Sequence, residues 1–316
     1  MERRIAVSHA SGIVAQAILE KYAAFGLAPD ALLLLDHESS AGKRVAYADG
    51  YLRLQDQNEY DLSGCSLLLM PEADAALESA ALRQGCFLVS HAIERDTPAL
   101  FVAGGATQPE IAYSETSQRL AGAELSCLLP ALLALDQMRP VVRLNVTLLR
   151  SAEFRGKAGV DELAAQTIGL LNARGIIPKV YPEQIAFNIL PESADARLIA
   201  DLGCFLGNIS CSSTLQTLNV PIFHGFAAAV QLVFASDVSV EASSSLLAAL
   251  DMVAVQKQSA GPISDCNQSF SCVISHLEQA REQPSSLQFW MVTDPMRYGL
   301  ANNYVNVADF LLKSFL

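Results

Sequence analysis

The chain has 316 residues, 51% of them hydrophobic, and 33 acidic against 21 basic side chains leave a net charge of −12. That surplus of negative charge excludes nucleic acid and anionic membrane as partners, and the apolar content excludes extended disorder. No apolar run reaches the roughly 18 residues of a membrane span, because the richest, residues 128–135, is interrupted by Pro130 and stopped by Asp136.

Residues 3–8 read as a first strand, 9–12 as a turn, 13–25 as an amphipathic helix and 32–35 as a buried strand ending in Asp36. This is the βαβ opening of a dinucleotide-binding domain, whose phosphate loop normally carries three glycines. Here Gly12 alone is kept. His9 stands at the first glycine, where a side chain needs a different backbone conformation or crowds the phosphates. Ser11 and Gly12 remain candidates for anion contact at the helix start, and Asp36 for a ribose hydroxyl. Strands at 66–70, 86–89 and 99–102, with a helix at 73–84, continue the alternation expected of a doubly wound parallel sheet.

The apolar segment 121–135 reads as a helix capped by Ser126 with Pro130 in its first turn, which leaves Cys127 a buried thiol. Beyond it, 141–147 alternates as a strand and 156–174 forms a long helix. Residues 219–234 (NVPIFHGFAAAVQLVF) read as two short strands around a bend at Pro221 and Gly225. Strands at 252–255, 270–274 and 287–292 complete a second, mixed sheet, with a closing helix up to residue 316. Seven cysteines without Cys-x-x-Cys spacing fit reduced thiols in a cytoplasmic protein, five isolated histidines make no zinc motif, and the first residues lack the apolar core of a signal peptide.

Residues 40–43 (SAGK), 157–163 (KAGVDEL), 185–191 (IAFNILP), 220–225 (VPIFHG) and the segment 293–304 resemble the aspartate-semialdehyde dehydrogenase family. Similarity is greatest to the Usg-type homologues that depart from its catalytic set. The resemblance implies an α/β protein: a Rossmann-like doubly wound domain over 1–126, joined by the helix at 300–316, and an α+β dimerisation domain with a mixed sheet over 127–299. It places Ser126 at the nucleophilic cysteine, with Cys127 one residue later, a slip that turns a helical side chain by about 100°. Asn219 stands at the arginine for the substrate carboxylate, Phe226 at the catalytic histidine and Arg150 at a substrate-orienting glutamine. Residues 153–156 (EFRG) replace a small Ser-Gly-x-Gly loop, and their bulk is expected to fill space beside the substrate. Arg150 is expected to pair with a neighbouring carboxylate. Arg95 and Arg197 are candidates for lost phosphate contacts, and Asn303 matches an asparagine near the nicotinamide.

Reductive dephosphorylation of an aspartyl phosphate needs a thiolate, a proton-transfer group, a carboxylate anchor and a hydride donor. These positions hold Ser126, Phe226, Asn219 and a loop depleted of glycine. The resemblance thus implies a homodimeric binding or regulatory protein with impaired catalysis. Two alternatives stand beside it. One is an active NAD(P)-dependent enzyme with Cys127 as nucleophile and His224 as base; the other is a nucleotide sensor without turnover. Asp36, with Ser39 in place of an arginine, favours NAD over NADP where a nucleotide binds at all.

Overall fold

The computed structural model describes residues 4–93, 99, 101, 116–193, 195–206 and 212–314. The chain divides into two compact units, Met1–Ser126 with Gly299–Leu316, and Cys127–Tyr298.

The first unit opens with β1 (Arg4–Val7), α1 (Ile13–Ala24) and β2 (Leu32–Asp36). The apolar residues of β1 and β2 are buried on both faces, as in a parallel sheet covered on each side. Next come the hairpin β3 (Arg44–Tyr47) and β4 (Gly50–Asp56), then β5 (Cys65–Leu69), α2 (Ala75–Arg83), β6 (Phe87–Ser90) and β7 (Ser117–Arg119). The strand order is β3-β4-β2-β1-β5-β6-β7, parallel except for the hairpin. The hairpin escapes the sequence reading, although Asp49-Gly50 at its turn is a signal for it. Of the strand expected at 99–102, residues 100 and 102 lie outside the described residues, and 99 and 101 carry no strand. Chain order reverses between β1 and β5, and the loops after these two strands meet at that switch point, where doubly wound sheets bind ligands. A C-terminal helix (Asn302–Ser314) belongs to this unit, and its Tyr304 hydroxyl donates to the Met70 carbonyl at the end of β5.

Helix α3 (Ala123–Met138) leads into the second unit, with Pro130 in its interior. The mixed sheet comprises β8 (Val141–Arg150), β9 (Leu190–Glu192), β10 (Ser212–Asn219), β11 (Phe226–Phe234), β12 (Val253–Gln256), β13 (Cys272–Glu278) and β14 (Ser286–Thr293). Its order is β12-β13-β14-β11-β8-β10-β9, with β8/β10 and β12/β13 parallel and the other pairs antiparallel. The helices are α4 (Gly156–Leu171), α5 (Ala196–Phe205), α6 (Val240–Ala248) and the short α7 (Pro262–Asp265).

Residues 219–234 differ from the expected pair of strands. β10 ends at Asn219 and β11 begins at Phe226, so Val220–Gly225 is a loop. Pro221 has no N–H for a ladder, and the Ile222 and Phe223 carbonyls accept from the Ala152 and Glu153 amides instead of a strand. Gly225 closes the loop at φ +93°, where an added Cβ would stand 2.7 Å from Cβ of Pro262. The irregular segment after α4 is tied down by Glu162, whose carboxylate accepts from the amides of Lys179 (2.9 Å), Val180 (2.6 Å) and Tyr181 (3.3 Å).

Candidate functional site

At the switch point of the first unit, the loop after β1 keeps the turn that glycine would give it. His9 sits at φ +49°, in the left-handed region, so no different backbone conformation is needed. Its buried ring lies edge-on to His37, centroids 5.0 Å apart, and its Nδ1 is 3.2 Å from the Ser8 hydroxyl. Asp36 closes on the same loop, with Oδ2 accepting the Ser11 amide at 2.7 Å and Oδ1 the His37 amide at 2.8 Å. Burial opposes ionisation of Asp36, but the Ser11 and His37 bonds outweigh it and hold its pKa below the ordinary carboxylate value. A Cβ on Gly12 would lie 3.1 Å from a carboxylate oxygen of Glu72, in the loop after β5. The structure therefore brings Ser11, Gly12 and Asp36 together, but the Ser11 amide that could face a phosphate is already bound to a carboxylate, and a second acid stands beside it. This arrangement lends no support to the expected preference for NAD, because Asp36 is turned to the loop's own backbone.

Ser126 is not a helix cap. α3 begins at Ala123, so Ser126 lies within it, its amide donating to Gly122 at 2.9 Å. The hydroxyl donates to the Ala121 carbonyl at 3.0 Å and accepts from Nδ2 of Asn303 at 3.3 Å. Its proton is committed to a carbonyl, and no base receives it. Pro130 has no N–H to return to the Ser126 carbonyl, the usual consequence of an interior proline. Asn303, expected beside a nicotinamide, is buried against this serine. Cys127 follows on the helix, outside any disulfide and completely buried.

In the second unit the strand registers align the other expected positions. Asn219 of β10 is the partner of Arg150 on β8, Arg150 of Phe226 on β11, and Phe226 of Thr293 on β14. Cross-strand partners share a face, so Asn219, Arg150 and Phe226 form one row at the end of the sheet. Phe226 is fully buried and packs on Phe154, ring centroids 5.9 Å apart. The Arg150 guanidinium stands 5.7 Å from the Phe154 ring. The carboxylate beside it is Glu192 of β9, which the sequence reading does not pick out. Nη1 of Arg150 donates to Oε2 of Glu192 at 3.3 Å, Nη2 of Arg155 to Oε1 at 2.6 Å, and Nδ2 of Asn219 to Oε2 at 3.1 Å.

His224 stands in the loop, so the same-face argument for a strand does not apply to it. Its Nδ1 lies 3.2 Å from Oε2 of Glu153, and its side chain is half exposed. Glu153 is buried and also accepts the Gly225 amide and the Ser151 hydroxyl. Burial pushes its pKa up, the Gly225 and His224 bonds draw it part-way back, and the Asp294 carboxylate adds to the rise. The partner of His224 is thus a buried acid, and the thiol of Cys127 belongs to the interior of α3. Arg197 lies in the first turn of α5, its amide bonded to Asp195, and Arg95 falls outside the described residues. Among the described residues no group of three His, Cys, Asp or Glu side chains is placed to hold a metal, and no helix is long and apolar enough to cross a membrane.

No family model matches the chain. It is 28% identical over 345 residues to a USG-1 protein homolog of Pseudomonas aeruginosa, covering 99% of this chain and 98% of that protein. It is 25% identical to aspartate-semialdehyde dehydrogenase 2 of Vibrio cholerae, with 98% of each covered. The crystal structure of aspartate semialdehyde dehydrogenase II from Vibrio cholerae superposes with a TM-score of 0.87 at 23% identity, over the full length of both chains.

Proposed function

We propose that this chain, which belongs to the aspartate-semialdehyde dehydrogenase family, acts as a binding or regulatory protein that does not turn over the semialdehyde. One observation carries the reading. The hydroxyl at the position of the nucleophile is inside a helix, spent on the Ala121 carbonyl and on Asn303. A nucleophile needs a base in reach and an open approach, and Ser126 has neither its proton on a base nor any exposure. Phe226 and Arg150, filling the places of the histidine and the glutamine, support the same conclusion, as does the acid-lined loop at the switch point. Under this reading neither NAD nor NADP is assigned as a resident cofactor.

Turnover of aspartate semialdehyde with phosphate and either NADP or NAD is expected to stay at background. The folded Cys127→Ala variant is expected to be indistinguishable from wild type. Reduced nucleotide formed by wild type and lost in C127A would instead establish an active enzyme with a relocated thiol.

The reading includes a homodimer formed through the face of the mixed sheet opposite the row of Arg150. Gln216, Thr147, Ala229 and Trp290 lie there as successive cross-strand partners, each at least partly exposed. Equilibrium sedimentation is expected to return twice the chain mass; a single 33.8 kDa species would remove the dimer.

A further inference from the structure

We propose that the β3/β4 hairpin docks an acidic segment of a partner protein, which adds as a further strand along the open edge of β3. The inference rests on the reading of the chain as a binding or regulatory protein. The strand order puts β3 at the edge of the first sheet, with β4 and β2 between it and β1, so two strands separate it from the switch point. Arg44 is the direct cross-strand partner of Arg53, and Ala46 of Tyr51. Residues two apart on a strand share a face, so these four side chains form one surface. All four are exposed, Tyr51 to 71%. The opposite face carries Val45, Tyr47, Leu52 and Leu54 and turns inward, with Tyr47 and Leu54 buried.

Two features set this hairpin apart from an ordinary solvated edge. The first is the pair of like charges. One charge suffices to blunt an exposed edge strand, whereas like charges directly opposite each other destabilise the pairing. Among the described residues neither guanidinium meets a carboxylate, and Nε of Arg53 donates to the Gly42 carbonyl at 3.4 Å. With Lys43 alongside, the cluster is positive on a chain whose net charge is −12, so an acidic partner supplies the missing counter-charge. Tyr51 beside two arginines also matches the side chains that anchor interfaces. The second feature is the backbone, and it is independent of charge. The Lys43 carbonyl accepts the Leu54 amide and therefore faces β4. Alternation along the strand then turns the amides and carbonyls of Arg44 and Ala46 outward. An incoming strand can bond to that edge while its alternate side chains meet the arginine face, the pattern by which strand addition gains specificity.

The test uses the full chain and the fluorescence anisotropy of short labelled peptides. The probe alternates Glu and Thr; one control holds the same residues in two blocks, and another has Lys in place of Glu. Saturable binding of the alternating peptide is expected, about tenfold tighter than that of the block isomer, absent for the lysine peptide and weakening with salt. Arg53→Glu turns the like pair into an opposite one, so the hairpin keeps its fold, and binding is expected to weaken by about tenfold or more. Ala46→Pro removes an outward N–H and leaves every charge in place, and it is expected to weaken binding to a similar extent. If A46P does not fold, an N-methylated alternating peptide replaces it, with the same loss expected. No saturable binding to wild type, equal binding of the two isomers, or unchanged binding in R53E, A46P or the methylated peptide would overturn the proposal. So would displacement of the peptide by NADP, which would place it in a nucleotide site, or equal binding of an oligonucleotide of the same charge. Loss of the chain's own dimer in R53E would make a second copy the occupant and overturn it too. Turnover of the semialdehyde is read separately, so failure here and failure of the non-catalytic reading are distinguishable.

Discussion

Tyr304→Phe is expected to destabilise the first unit by about 2–4 kcal/mol, and Tyr304→Ala by more than that, read by chemical denaturation. The hydroxyl of this fully buried side chain donates to the Met70 carbonyl at 3.0 Å and accepts from the His91 amide at 3.1 Å, with the His91 Nδ1 at 2.9 Å. Because the phenol proton is given to Met70, Nδ1 of His91 must carry the proton of that contact. Desolvation supports the neutral ring, pushing the His91 pKa down to about 4. Phenylalanine keeps the packing and orphans a carbonyl, an amide and a ring N–H at once, which is why a one-atom change has so large an effect. Alanine adds a cavity. The contacts tie the C-terminal helix to residues 213 and 234 positions earlier in the chain, so the helix is expected to lose protection from hydrogen exchange in both variants. A Tyr304→Phe variant within 0.5 kcal/mol of wild type, about the scatter of an inert surface change, would show that these groups find other partners.

The parts legible in the sequence are those whose physics is local. Apolar runs at Ile5–Val7 and Leu32–Leu35 announce buried parallel strands, and Gly12 marks the turn between strand and helix. Alternation in 141–147 announces β8. The family motifs then carry the register, since Asn219, Arg150 and Phe226, scattered over the chain, meet in one row. Ser126 misled because serine before an apolar run suggests a cap, whereas the preceding Ala123, Glu124 and Leu125 are themselves good helix formers and extend α3 backward. Val220–Gly225 misled because β-branched composition says nothing of where the backbone bonds go, and here they go to the turn after β8. His9 misled because a histidine can occupy the left-handed region once packing fixes it. Glu192 was invisible. Its donors lie 42, 37 and 27 residues away, and no local pattern connects a glutamate on an edge strand to two arginines and an asparagine. Glu162, tied to amides 17 to 19 residues on, was hidden for the same reason.

Glu153 makes the loss of the family's small loop a matter of stability as well as of chemistry. Replacing it by alanine is expected to cost about 2–4 kcal/mol, because the Gly225 amide, the Ser151 hydroxyl and the His224 ring lose their acceptor together. Glutamine behaves differently. It preserves an acceptor for Gly225 and Ser151 and removes a charge that burial and the Asp294 carboxylate both disfavour. The folded pKa of Glu153 lies above the ordinary glutamate value of 4.5, so between the two values the folded chain binds more protons than the unfolded one. Stability must then fall as pH rises through that window, and the loss is complete above the folded pKa. The protonated acid at low pH is the well-tolerated form, and glutamine mimics it at every pH. The stability of Glu153→Gln relative to wild type is therefore expected to increase from pH 4 to pH 8, and Glu153→Ala, which lacks the same titrating carboxyl, is expected to follow the same slope from a lower starting point, its loss shrinking as pH rises. Denaturant titrations across that range in a His224→Ala background isolate the carboxyl from its histidine partner. A difference between E153Q and wild type that stays flat with pH, or declines, would mean the carboxylate is better solvated by Gly225 and Ser151 than its burial suggests. The loop from Val220 to Gly225 would then owe its position to the charge of Glu153, and not to a neutral hydrogen-bond acceptor.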